Sequence, residues 1–109
     1  MAYNIALRSR IKNVVEHWKN TTEKKMFGGI CFLLKGNMFC GVYRDFLILR
    51  LGEKGAEEAL QSEHARPLDV TGRPMKGWVM FGLEGFQTDD ELQALLEEAR
   101  DFASTLPPK

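Results

Sequence analysis

The chain has 109 residues, 44% of them hydrophobic and 28% charged, which is the size and make-up of one globular domain and leaves no room for a second. Fifteen basic residues balance fifteen acidic ones, so no overall field draws the chain to nucleic acid or an anionic membrane, and any such binding has to be local. No segment approaches the roughly 20 apolar residues that span a bilayer, and the start, with Arg8, Arg10 and Lys12 among its apolar residues, lacks the unbroken apolar run of a signal peptide; the expectation is a soluble, cytoplasmic protein.

The first predicted element is an amphipathic helix over residues 5–19, with Leu7, Ile11, Val14, Val15 and Trp18 forming a stripe that should cover a sheet. It stops before Asn20-Thr21-Thr22. Two apolar strands, 30–35 and 38–43, flank Gly36-Asn37 and read as a hairpin. Arg44-Asp45 is a second short turn into a strand over 46–51, so three antiparallel strands form a meander that ends at Gly52. A short helix over 53–61 puts Ala56, Ala59 and Leu60 inward. Residues 62–74 read as loop, with a brief strand near Leu68 to Val70, and 76–81 is a further strand. In the last helix Thr88 and Glu91 make a capping box, followed by Leu92, Leu95, Leu96, Ala99, Phe102 and Ala103 on one face, and Pro107-Pro108 ends it. This order, α-β-β-β-α-(β)-β-α, is that of an α+β domain: a two-layer arrangement in which helices flank an antiparallel sheet.

The hairpin register carries two expectations. With Gly36-Asn37 as the turn, Lys35 faces Met38, Leu33 faces Cys40 and Cys31 faces Val42. Cys31 and Cys40 then share a face but sit diagonally, about 7–8 Å apart, too far for a disulfide, and two reduced thiols are expected. Carried across the second turn, the register pairs Val42 with Leu47 and Cys40 with Leu49. One face holds Cys31, Leu33, Met38, Cys40, Val42, Leu47, Leu49 and Leu51 and is the seat for the helices. The opposite face carries Ile30, Phe32, Leu34, Phe39, Tyr43, Phe46 and Ile48, where a sheet with one wet face would alternate into charge. That second apolar face is a candidate interaction face, for a partner protein or a homodimer, unless the last helix crosses to cover it.

Few arrangements here support chemistry. Phe27-Gly28-Gly29 leads into a strand, not a helix, so it is no phosphate loop. Neither His17 nor His64 sits in a motif that would activate a nucleophile or complete a metal site. Glu57-Glu58 reads as a solvated helix face, and Asp89-Asp90-Glu91 complements a helix N-terminus. No catalytic residue, metal ligand or cofactor site is therefore assigned. The cations near strand edges, Lys24, Lys25, Arg50, Arg73 and Lys76, form a candidate anion-binding rim if they converge beside Met26, Phe27, Met75 and Trp78. The plainer reading is solvated lysines and an Arg50–Asp69 ion pair. Aromatic and basic residues together also suit single strands of nucleic acid, which the zero net charge argues against.

The runs Thr22-Glu23-Lys24-Lys25-Met26-Phe27-Gly28-Gly29, Gly36-Asn37-Met38, Gly41-Val42, Leu49-Arg50-Leu51-Gly52 and Arg66-Pro67-Leu68-Asp69-Val70-Thr71-Gly72-Arg73-Pro74-Met75-Lys76-Gly77-Trp78-Val79 together resemble the TfoX/Sxy N-terminal domain family over essentially the whole chain. The resemblance implies a two-layer α/β domain of the secretion-chaperone-like kind. In the full-length competence regulators a helical C-terminal domain follows, and the whole is a positive regulator of DNA-uptake genes. This chain stops at Lys109 and is expected to be the N-terminal domain standing alone. The resemblance supplies no catalytic residues. The expected function is that of a non-enzymatic bacterial regulatory or adaptor domain working through protein contacts. The alternative is a small-molecule or anion-binding domain, or a weak enzyme, using the cationic rim.

Overall fold

The computed structural model describes residues 3–26, 29–68 and 75–108. Helix α1 (Ile5–Val15) starts where the Asn4 side chain accepts a hydrogen bond from the Leu7 N–H at 2.9 Å, occupying one of the donors a first turn leaves unpaired. Leu7, Ile11 and Val15 are its buried residues. The helix stops at Val15, short of the predicted Lys19. Asn20 takes a φ of 66°, and the Thr21 hydroxyl donates to the carbonyls of Val15 (3.2 Å) and Trp18 (3.0 Å), which turns the chain into a strand.

Six strands form one antiparallel sheet: β1 (Thr21–Met26), β2 (Gly29–Leu34), β3 (Asn37–Tyr43), β4 (Phe46–Arg50), β5 (Ala65–Pro67) and β6 (Trp78–Phe81). Their spatial order is β1-β2-β3-β4-β6-β5. Between β4 and β5 lies α2 (Gly52–Ala59), and after β6 a single 3-10 turn (Leu83–Phe86) leads to α3 (Asp89–Ala103). The capping box of α3 is present as predicted: Thr88 Oγ1 accepts from the Glu91 N–H, and the Glu91 carboxylate accepts from the Thr88 N–H, each at 3.1 Å. Buried residues of all three helices and of one side of the sheet make a single core, which is the two-layer α+β arrangement expected.

Strand β1 has no apolar alternation to announce it. Its helix-side positions make polar contacts with α1: Arg8 grips the Glu23 carboxylate with two guanidinium nitrogens. That ion pair is the largest cause holding the Glu23 carboxyl below its ordinary range. A depressed carboxyl contributes stability above its unfolded pKa of about 4.3, and loses it as pH falls through the folded value. Glu23→Gln is therefore expected to be less stable than the parent in urea titrations at pH 7, with the difference closing in strong acid. A difference that persists there would assign the effect to something other than charge.

The turn of the first hairpin sits one residue earlier than predicted, so that Leu33 faces Met38 where Cys40 was expected, and past the bulge Cys31 faces Gly41 where Val42 was expected. That turn is Lys35-Gly36, with φ of 51° and 86°, the doubly left-handed pair that a tight two-residue hairpin needs. Asn37 is already a strand residue, paired with Leu34 and 3% exposed. Its amide donates to the Pro107 carbonyl at 2.8 Å, a role that a turn position would not allow. Pairing then jumps from Leu33–Met38 to Phe32–Cys40, so β3 holds one extra residue, a bulge at Phe39.

The consequence is that β2 turns over. Ile30, Phe32 and Leu34 face the helices, where Cys31 and Leu33 were expected, and the bulge turns Phe39 the same way as Cys40. Phe32 (2% exposed) and Phe39 (0%) are thus core residues and not part of an interaction face. Cys31, opposite Gly41, lies on the face away from Cys40. Both thiols are free, and burial pushes both upward in pKa, Cys40 well above its ordinary value. The second hairpin keeps the predicted pairs Val42–Leu47 and Cys40–Leu49. The brief strand is Ala65–Pro67; Leu68 is buried beyond it, and Asp69 and Val70 lie outside the described residues. Lys76-Gly77 is a turn before β6, where the Gly77 carbonyl accepts from the N–H groups of Leu51 (2.8 Å) and Gly52 (3.2 Å).

Candidate functional site

Placement of the five rim cations follows from sheet order. Lys24 and Lys25 sit on β1, an outer strand, paired with Cys31 and Ile30. Following Lys25 across the sheet leads through Ile30, Val42 and Leu47 to Phe81, the end remote from the Arg50–Trp78 pair. Three strand spacings, about 14 Å, separate β1 from β4 as well. Arg50 sits over the Trp78 ring at 5.3 Å and the Phe102 ring at 5.8 Å. Lys76 shares its end of the sheet, and Arg73 lies outside the described residues, as does Asp69. The structure brings Arg50 and Lys76 to one end and leaves Lys24 and Lys25 at another place.

On β1 the two lysines have a simpler role. Thr22, Glu23, Lys24 and Lys25 are exposed along an outer strand, and charge there opposes pairing with another chain's strand. The double variant Lys24→Val/Lys25→Val is expected to associate with rising concentration, giving a light-scattering mass above that of the parent. Equal masses would remove this role.

Two clefts open among the described residues. One, of about 280 Å³, lies between α2 and the start of β6, with Ala56, Leu60, Pro67, Met75 and Trp78 as apolar lining. Among the described residues its charged lining is Glu53, Glu57 and Lys76, an acidic balance that disfavours an anion. The other, of about 350 Å³, holds His64 with Glu63, Glu84, Asp45 and Arg66. The His64 ring nitrogens lie 3.6 Å from Glu63 and 3.9 Å from Glu84, and neither a hydroxyl nor a thiol lines the cleft for a base to activate. Among the described residues no group of three or more His, Cys, Asp or Glu is placed to hold a metal ion. No helix among them is long and apolar enough to cross a membrane.

The sheet face turned away from the helices is the more distinctive surface. By register it carries Cys31 and Leu33 of β2, Met38 and Tyr43 of β3, Phe46 and Ile48 of β4, and Met80 of β6. Cys31 is 3% and Ile48 6% exposed, yet neither belongs to the core that the helices share. Neighbours on their own face shield them. Leu33, Met38, Tyr43, Phe46 and Met80 are only half-buried, and no described helix lies over them. Three of the residues expected on an interaction face, Tyr43, Phe46 and Ile48, are here. Leu33 and Met38, expected on the helix side, lie here too, because their placement depends on the turn and bulge that reset the register, and Met80 joins them from β6.

A family model for the TfoX N-terminal domain matches residues 13–103. A search of the curated proteins finds no match to this chain.

Proposed function

The chain belongs to the TfoX N-terminal domain family, and on that premise we propose that this competence-regulator-like domain is a non-enzymatic regulatory or adaptor module acting through protein contacts. The observation that carries the reading is the uncovered apolar sheet face. A half-buried surface of leucine, methionine and aromatic side chains is costly to leave in water, and such patches mark places where another surface docks. Neither cleft offers a nucleophile with a base, which favours a binding role over catalysis.

The reading is tested by affinity capture from the native cell extract with the parent chain and with Met38→Glu, reading proteins, metabolites and nucleic acid together. Met38 is half-exposed on the face, so a glutamate there can reach water while breaking an apolar contact. Proteins held by the parent and lost by the variant are the expected result. A captured metabolite with no protein, or a protein set indifferent to the variant, would count against it.

A further inference from the structure

Zero net charge conceals a segregation. Helices α2 and α3 hold nine carboxylates, Glu53, Glu57 and Glu58 on the first and six on the second, against only Lys54 and Arg100. Their excess of seven negative charges is balanced by a net seven positive ones elsewhere in the chain, three of them Arg8, Arg10 and Lys12 of α1. On the uncovered sheet face the strands place Lys24 of β1 and Arg66 of β5 and, among the described residues, no carboxylate; Arg50 of β4 alternates to the same side, but its guanidinium lies at the sheet's end over Trp78 and over Phe102 of α3. Arg44 joins Lys24 and Arg66 at the β3–β4 turn. The carboxylates nearest this surface, Asp45, Glu63 and Glu84, gather at the cleft beside Arg66 and mark its end.

Arg44 and Arg66 differ from Arg8, Arg10 and Arg100 in lacking a carboxylate partner among the described residues, although Arg10 and Arg100 also lie over rings, of Phe86 and Trp18. Arg8, Arg10 and Arg100 have carboxylate partners. Arg44 lies over the Tyr43 ring at 5.3 Å and Arg66 over the Phe46 ring at 5.2 Å, and among the described residues neither has a hydrogen-bond or ion-pair acceptor. Stacking fixes the guanidinium plane while leaving its in-plane N–H groups for a ligand, and that planar fork matches a carboxylate. Between these cations lie Leu33, Met38 and Met80 over Cys31 and Ile48. Thioethers adapt to the shape of an incoming apolar side chain.

We propose that this face docks an acidic, amphipathic segment of a partner protein, its apolar side chains over Leu33, Met38 and Met80 and its carboxylates on Lys24, Arg44 and Arg66. The proposal rests on the protein-contact reading above and specifies the chemistry of the partner. A single strand of nucleic acid fits less well. Its bases need open ring faces along a cationic track, whereas the rings of Tyr43 and Phe46 are capped by guanidinium and the cations surround an aliphatic centre.

The test is a titration of the isotopically labelled full chain with a synthetic helical peptide of Leu, Phe, Glu and Asp, its apolar residues at i, i+3, i+4 and i+7, followed by amide chemical shifts. Saturable shifts confined to the sheet strands and the Arg44-Asp45 turn, weakening as salt rises, are the expected result. Arg44→Glu/Arg66→Glu should weaken binding by about tenfold or more. Lys54→Glu, with the same sign of charge change on the helix side, should leave it unaltered, and each variant's dispersed spectrum reports that it is folded. No saturable shift at millimolar peptide, shifts on the helices, equal binding of the matched lysine peptide, or tighter binding of oligothymidylate or oligouridylate on the same face would each overturn the proposal. If the peptide fails while native capture still yields proteins lost by Met38→Glu, the acidic-segment inference falls and the protein-contact reading stands. If both fail, both fall.

Discussion

Phe39→Ala should lower the free energy of unfolding by about 3–5 kcal/mol, the usual cost of emptying a phenylalanine site in a packed core. Phe39 is fully buried, and its ring lies 6.1 Å from that of Trp18, so the change also removes an aromatic contact between β3 and the segment that follows α1. Urea unfolding followed by tryptophan fluorescence measures it. Phe46→Ala is the informative companion. Phe46 is half-buried on the other face beneath Arg66, and its truncation should cost only about 1 kcal/mol. Plain alternation along β3 and β4 puts these two rings on one face, whereas the bulge puts them on opposite faces. Equal losses from the two variants would mean that the bulge is misplaced.

Gly52→Ala should cost about 3 kcal/mol, from two separable causes. Gly52 has a φ of 82°, a conformation that costs a residue with a side chain roughly 1–2 kcal/mol. An added Cβ would also lie 2.6 Å from Phe102 Cε1 and 2.8 Å from its Cδ1, so the ring at the end of α3 must shift, a strain on the scale of overpacking. The double variant Gly52→Ala/Phe102→Leu distinguishes them. It should recover the steric part relative to Gly52→Ala and leave the backbone part in place. No recovery would assign the whole loss to φ.

How much could be read in advance depended on whether an element announces itself locally. Helix α3 did, because a capping box and a spaced set of Leu92, Leu96, Ala99 and Ala103 need no knowledge of distant partners. The Arg44-Asp45 turn and the pairs beyond it did too. Strand β1 did not: its inward positions are Thr21, Glu23 and Lys25, whose partners on α1 and β2 come from elsewhere in the chain. Nor did the turn at Lys35-Gly36. Asparagine suits a turn on local preference, but here a hydrogen bond to Pro107, 70 positions away, holds Asn37 in the strand. That one-residue slip, followed by the bulge, decided which aromatic residues are core and which are surface.

The cationic rim failed to assemble for a related reason. Lys24-Lys25 and Arg50 both border strands, and nothing local says which end of the sheet each border faces. The antiparallel register sends them to different ends. The interaction face was legible as a property, two apolar sides to one sheet, before its membership was.

The concentration of carboxylates on α2 and α3 has a consequence for how the domain meets another molecule. With no monopole, the domain gains little attraction at a distance, and its encounter rate is not raised by its own field. What it has is a dipole, which acts only at close range at physiological salt, within about 8 Å. A dipole turns a neighbour more than it pulls it. An approaching acidic surface is rotated toward the sheet and away from α2 and α3, so the charges select the orientation of an encounter and not its frequency.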